Sequence, residues 1–132
     1  MFGKKKPEFP GLPVMYYEGL PGFDQNFPLY LKQTEEGLIF FKPNSTVTAT
    51  LPYSRLLNFE FIPERDYLLK YHSEAVSTSK IKLEKRFIVI HYKSNPEPKR
   101  VVLWGLQDKK LSTVRVELET AFKKSIPESY IL

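Results

Sequence analysis

Residues 80–124 read KIKLEKRFIVIHYKSNPEPKRVVLWGLQDKKLSTVRVELETAFKK. Two periodicities meet in this stretch. Over 80–93 the period is two: Ile81, Leu83, Phe87 and Val89 share one parity, and Ile88, Ile90 and Tyr92 share the other. That alternation predicts a long strand. Glu84-Lys85-Arg86 interrupts it, and a bulge or bend is expected there. Ser94-Asn95-Pro96-Glu97-Pro98 reads as a turn, and Val101–Leu106 returns as a second strand containing Trp104. From Asp108 the period changes to the helical one. Leu111, Val114, Leu118, Ala121 and Phe122 recur at steps of three and four, which places them on one face. Asp108 is suited to cap the helix, because its carboxylate can accept a bond from an otherwise unpaired amide. Arg115 and Glu119 are spaced for a surface pair, and Lys123 and Lys124 suit the negative end of the helix dipole. Pro127 stops the helix.

Upstream of this stretch the chain reads as strands. Leu56–Ile62 predicts a strand with Leu57, Phe59 and Phe61 on one face and Asn58 and Glu60 on the other. Pro63 ends it, because proline cannot donate to a ladder. Pro63-Glu64-Arg65-Asp66 can open a helical turn, continued briefly by Tyr67–Tyr71. Ser73–Ser79 reads as a loop. Thr46–Leu51 alternates, with Val47, Ala49 and Leu51 on one side and three threonines on the other. Leu38–Lys42 and Leu29–Thr34 are further strands, joined by a turn at Glu35-Glu36-Gly37. Val14–Glu18 is a short strand between two copies of Gly-Leu-Pro, at 11–13 and 19–21. Two copies of three residues do not make a repeat architecture.

The expected domain order is a flexible basic and proline-rich arm at 1–13, a single domain at 14–124 and a short tail at 125–132. Six or seven strands followed by one amphipathic helix predict a mainly β fold. The expectation is a partly open antiparallel barrel or sandwich capped by the C-terminal helix.

This organisation resembles a pleckstrin-homology-like domain, in particular the bacterial PH-like or GRAM-like type. The stretches that carry the resemblance are Leu51-Pro52-Tyr53-Ser54-Arg55-Leu56, Lys85–Tyr92, Val101–Trp104 and the helix over 108–124. The resemblance in organisation covers about residues 14–124. The pattern of the arm is also similar to small proteins of Gram-positive bacteria and their phages. The resemblance implies a binding or scaffolding role without a cofactor, and it carries no ligand over, because fold is not function. Phosphoinositide-binding PH domains place basic residues around the loop joining their first strands. The corresponding turn here, Glu35-Glu36-Gly37, is acidic, which argues against such a pocket.

Composition bounds the remaining classes. The chain has 132 residues, 42% apolar and 27% charged, and no cysteine, which fits one globular domain without disulfides, a thiol nucleophile or a cysteine zinc site. Its two histidines, His72 and His91, are far apart in sequence. His91 falls in a strand pattern and His72 in or near a loop. No zinc, calcium or catalytic spacing accompanies them, so neither a metal nor an enzyme is expected. The N-terminus carries Lys4, Lys5 and Lys6 but no apolar signal-peptide core, so the expected location is cytoplasmic.

The net charge of +5 is regional. Residues 80–124 hold twelve basic and five acidic residues, a net of +7. Lys80, Lys82, Lys85 and Arg86 stand at one end of the proposed hairpin, and Lys93, Lys99 and Arg100 at the other. Such groups form a candidate surface for an anionic partner, against the plainer reading of a solvated polar face. The leading expectation is a non-enzymatic module working through protein–protein contact or self-association. The alternatives are peripheral binding to an anionic membrane and, behind it, a nucleic-acid-binding barrel.

Overall fold

The computed structural model describes residues 11–74 and 85–124. Among these, seven strands form one antiparallel sheet: β1 (Leu12–Glu18), β2 (Pro28–Gln33), β3 (Gly37–Phe41), β4 (Thr48–Pro52), β5 (Leu56–Pro63), β6 (Lys85–Tyr92) and β7 (Lys99–Leu106). Helix α1 (Glu64–His72) lies between β5 and β6, and α2 (Lys109–Lys124) follows β7. The spatial order is β4-β3-β2-β1-β7-β6-β5, so the sheet is open, with β4 and β5 at its edges. A 3-10 turn at Tyr53–Arg55 joins those two edge strands. The chain is therefore a mainly β domain, an open sandwich capped by its C-terminal helix.

The two parities read from 85–106 have different destinations. Ile88, Ile90, Val101 and Leu103 face α2 and join Leu29, Leu31, Leu38, Phe40 and the helix residues Leu111, Val114, Leu118 and Ala121 in the main core. Phe87, Val89 and Val102 face the other way, into a second core with Tyr67 and Leu68 of α1. The strands β6 and β7 are thus covered on both faces, which explains their continuous apolar runs.

The helix α2 begins as its sequence requires. The Leu111 amide donates to Asp108 Oδ1 at 3.1 Å, and Arg115 pairs with Glu119 at 3.3 Å. The turn at 35–37 is equally local: the Thr34 amide donates to the Gly37 carbonyl at 2.9 Å. Gly37 has φ +153°, and a Cβ there would sit 2.3 Å from the Leu51 carbonyl oxygen on β4.

Several expectations need correction. Lys85 and Arg86 pair in unbroken register with Leu106 and Gly105, so no bulge falls at those residues; Glu84 lies outside the described residues. Irregularities fall elsewhere, on β1 between Tyr16 and Glu18 and on β5 between Leu56 and Asn58. The extra residue on β5 is Leu57, and the side chains switch parity around it. Leu56 is buried in the main core, Phe59 and Phe61 pack against the same core, and Leu57 is exposed. β4 starts at Thr48 rather than Thr46, leaving Val47 exposed before it. β1 starts at Leu12, two residues before Val14. The helical turn expected after Pro63 extends to His72, so that histidine ends a helix rather than lying in a loop.

Candidate functional site

Two polar clusters fasten α1 to the sheet, and together they hold both histidines. In the first, the Tyr67 hydroxyl donates to Glu18 Oε1 at 2.6 Å, and His72 Nε2 lies 2.5 Å from the same oxygen. In the second, Glu60 on β5 receives Lys70 Nζ at 2.6 Å, the Tyr71 hydroxyl, and His91 Nε2 at 2.8 Å. Glu60 stands on the outer face of the sheet because β5 recovered its alternation after the bulge at Leu57. Burial pushes Glu60 up, but the hydrogen bonds from Lys70, Tyr71 and His91 prevail and hold its carboxyl down to about 2. Burial, and then the carboxylates they touch, push the Tyr67 and Tyr71 hydroxyls up. The phenols therefore stay protonated as donors and Glu60 stays ionised as acceptor. These are interlocks, with no acid or base poised near neutrality among the shifted groups.

The basic residues singled out in the sequence are separated by the fold. Lys85 Nζ lies 4.4 Å from the Trp104 ring centroid and 3.7 Å from Glu64 Oε2. Arg86 points to the opposite face, its guanidinium 5.9 Å from the Phe61 centroid. Arg100 stacks at 4.5 Å over Tyr71. Lys93 and Lys99 are exposed near the 94–98 turn, where the Lys93 amide donates to the Arg55 carbonyl at 2.7 Å. Lys85 and Tyr92 are seven strand steps apart, roughly 23 Å. That exceeds the ~8 Å Debye length at physiological salt, so the two ends of the hairpin do not act as one patch. Lys80, Lys82 and the Lys4–Lys6 arm lie outside the described residues.

The candidate site is an apolar cleft of about 340 Å³ at the rim of the sheet. One wall is Pro13, Val14 and Met15 of β1; the floor is Trp104, Gly105 and Leu106 of β7. Pro28, the cap residue Asp108, and Lys110, Leu111 and Val114 of α2 complete the lining. Pairing of Met15 with Trp104 across β1 and β7 brings the first two together. The Trp104 indole donates to Asn26 Oδ1 at 3.0 Å, which draws the 26–28 segment against the cleft. Leu106 is 38% exposed, so apolar surface reaches the mouth of the cleft, whereas exposed Phe27 lines a neighbouring hollow with Tyr16, Phe23 and Lys42. Gly105 lets α2 start close to the strand: a Cβ there would lie 2.8 Å from Leu111 Cδ1.

Reading the sequence alone did not single out Met15, Pro28, Leu106 or Lys110. The available signal was Trp104 and Leu106 on one strand parity, separated by a glycine just before a capped helix. Comparison with protein-family models, with curated proteins and with solved structures finds no match. Among the described residues no helix is long and apolar enough to cross a membrane, and no three His, Cys, Asp or Glu side chains group as metal ligands.

Proposed function

We propose that this chain is a non-enzymatic, PH-like binding module that works through protein–protein contact, with the Trp104 cleft as its contact surface. The observation that carries this reading is the cleft itself: about 340 Å³ with mainly apolar walls and a partly exposed Leu106 at its lining. Contiguous exposed apolar surface is where soluble domains meet partners, and tryptophan at the centre of such a surface is a frequent anchor. The two His–Glu–Tyr clusters fit the same reading, since they make α1 part of a rigid scaffold beside the cleft.

The test is site-specific photocrosslinking. A photoreactive residue at Leu106 should capture a defined protein, and excess unlabelled protein should compete it away while a Leu106→Arg variant should not. The same group at Thr50, on the edge strand β4, serves as control. Equal capture from both positions, or undiminished competition by Leu106→Arg, would count against the cleft. Light scattering over a concentration series identifies the case in which the partner is a second copy.

A further inference from the structure

The rim of the cleft has its own chemistry. Lys110 lines it, and Lys85 stands over the ring of Trp104. Lys109 is exposed next to Lys110. The first turn of α2 holds no acidic residue, so the positive end of this 16-residue helix is met by its cap, Asp108, and by no acid of the turn itself. Of two carboxylates, Asp108 itself lines the cleft and Glu64 stands beside Lys85, and both are engaged. Asp108 accepts the Leu111 amide as helix cap, and Glu64 lies 3.7 Å from Lys85. Lys85 is matched by Glu64, so the rim of the apolar cleft carries Lys110, with exposed Lys109 beside it, against the single cap carboxylate of Asp108.

From this we infer that the occupant is a peptide segment of a partner protein carrying a large apolar side chain flanked by Asp or Glu. The apolar side chain enters beside Trp104 and Met15, and the acids lie over Lys109 and Lys110. The inference rests on the cleft being the contact surface. Electrostatic complementarity of this kind selects among partners more than it adds affinity. A lysine-flanked apolar segment would meet like charge on the same rim.

Trp104 is the only tryptophan in the chain, so its fluorescence reports occupancy directly. Three dodecapeptides share a central Phe-Leu pair and differ only in their flanks, which are Asp/Glu, Ser/Gln or Lys. The acidic peptide should shift Trp104 emission and bind best, with affinity falling as salt rises from 50 to 500 mM. Lys109→Glu and Lys110→Glu together should weaken it by about ten-fold, from exposed pairs of ordinary strength made repulsive. Acids in the first turn of a helix favour it, so that variant keeps its fold and its melting temperature confirms it. Equal binding of all three peptides, preference for the lysine peptide, or no effect of the double variant overturns the acidic class while leaving the cleft as a contact site. No response of Trp104 to any peptide, with no Leu106 crosslink, overturns both.

Discussion

Replacing Glu60 with Gln tests the claim that charge, and not shape alone, fastens α1 to the sheet. The amide keeps the size of the side chain and one acceptor oxygen. It removes the ionised partner of Lys70, Tyr71 and His91. The Glu60 side chain is 20% exposed, so solvent screens these bonds only in part. Its carboxyl is held at about 2 against an ordinary value of 4.5. At ~1.36 kcal/mol per pH unit, that difference stabilises the folded state by about 3 kcal/mol. Because the folded value is depressed, the contribution is complete above the ordinary carboxylate range and disappears as pH falls from 4.5 towards 2. Urea titrations followed by Trp104 fluorescence at pH 7, 5, 4 and 3 measure it. Glu60→Gln should cost about 2–3 kcal/mol at pH 7, the retained acceptor making the pKa figure an upper bound. The gap to the parent should narrow steadily below pH 4.5. A gap that stays constant from pH 7 to 3 would mean that packing accounts for the loss, and a gap under ~0.5 kcal/mol at pH 7 would refute the interlock.

Other substitutions separate further claims. Leu56→Ala should destabilise by about 2–5 kcal/mol in chemical denaturation, whereas Leu57→Ala should stay within ~0.5 kcal/mol, because the bulge buries the first and exposes the second. The reverse order would restore the plain alternation. Gly37→Ala should lower the unfolding free energy by at least the ~1–3 kcal/mol of a strained backbone, since its Cβ would meet the Leu51 carbonyl at 2.3 Å. A neutral result would show that the 35–37 turn adapts. Asp108→Ala should cost about 1 kcal/mol through loss of the α2 cap and increase amide exchange at Leu111; unchanged exchange there would argue against the cap.

The elements were legible wherever period and punctuation agreed. Phe87–Tyr92, the prolines at 96 and 98, and the capped helix with its 111–114–118–121 face all gave local signals that tertiary packing did not have to override. The bulge was misplaced for a physical reason. Charge at Glu84-Lys85-Arg86 looks like an interruption in a pattern, yet Lys85 and Arg86 keep regular pairing while their charged ends lie over the rings of Trp104 and Phe61. Leu57 looks like core by parity and is the residue squeezed out. The interlocks were not legible at all. Glu18 and His72 are 54 residues apart, and Glu60 and His91 are 31 apart, so only the topology brings them together.

The same topology accounts for the position of the cleft. A strand of eight residues is roughly 26 Å long, whereas α1, with nine residues, spans only about 13 Å. One short helix cannot cover the outer face of β6 and β7 along its whole length. The aromatic series shows where its cover ends: Tyr67 of α1 stacks on Phe87 at 4.6 Å, and Phe87 stacks on Trp104 at 6.5 Å. Trp104 is thus packed against the ring that α1 covers, carries Lys85 over its ring, and also lines the cleft. The clusters at Glu18 and Glu60 fix α1 in that place, so it cannot slide to bury the remainder. If Glu60→Gln loosened α1, Trp104 would lose the support transmitted through Phe87. Affinity at the cleft should then fall in the Glu60→Gln variant although Glu60 does not line it. Titrating the acidic peptide against that variant under conditions where it remains folded would reveal this, and an unchanged affinity would show that the cleft is shaped by β1, β7 and α2 alone.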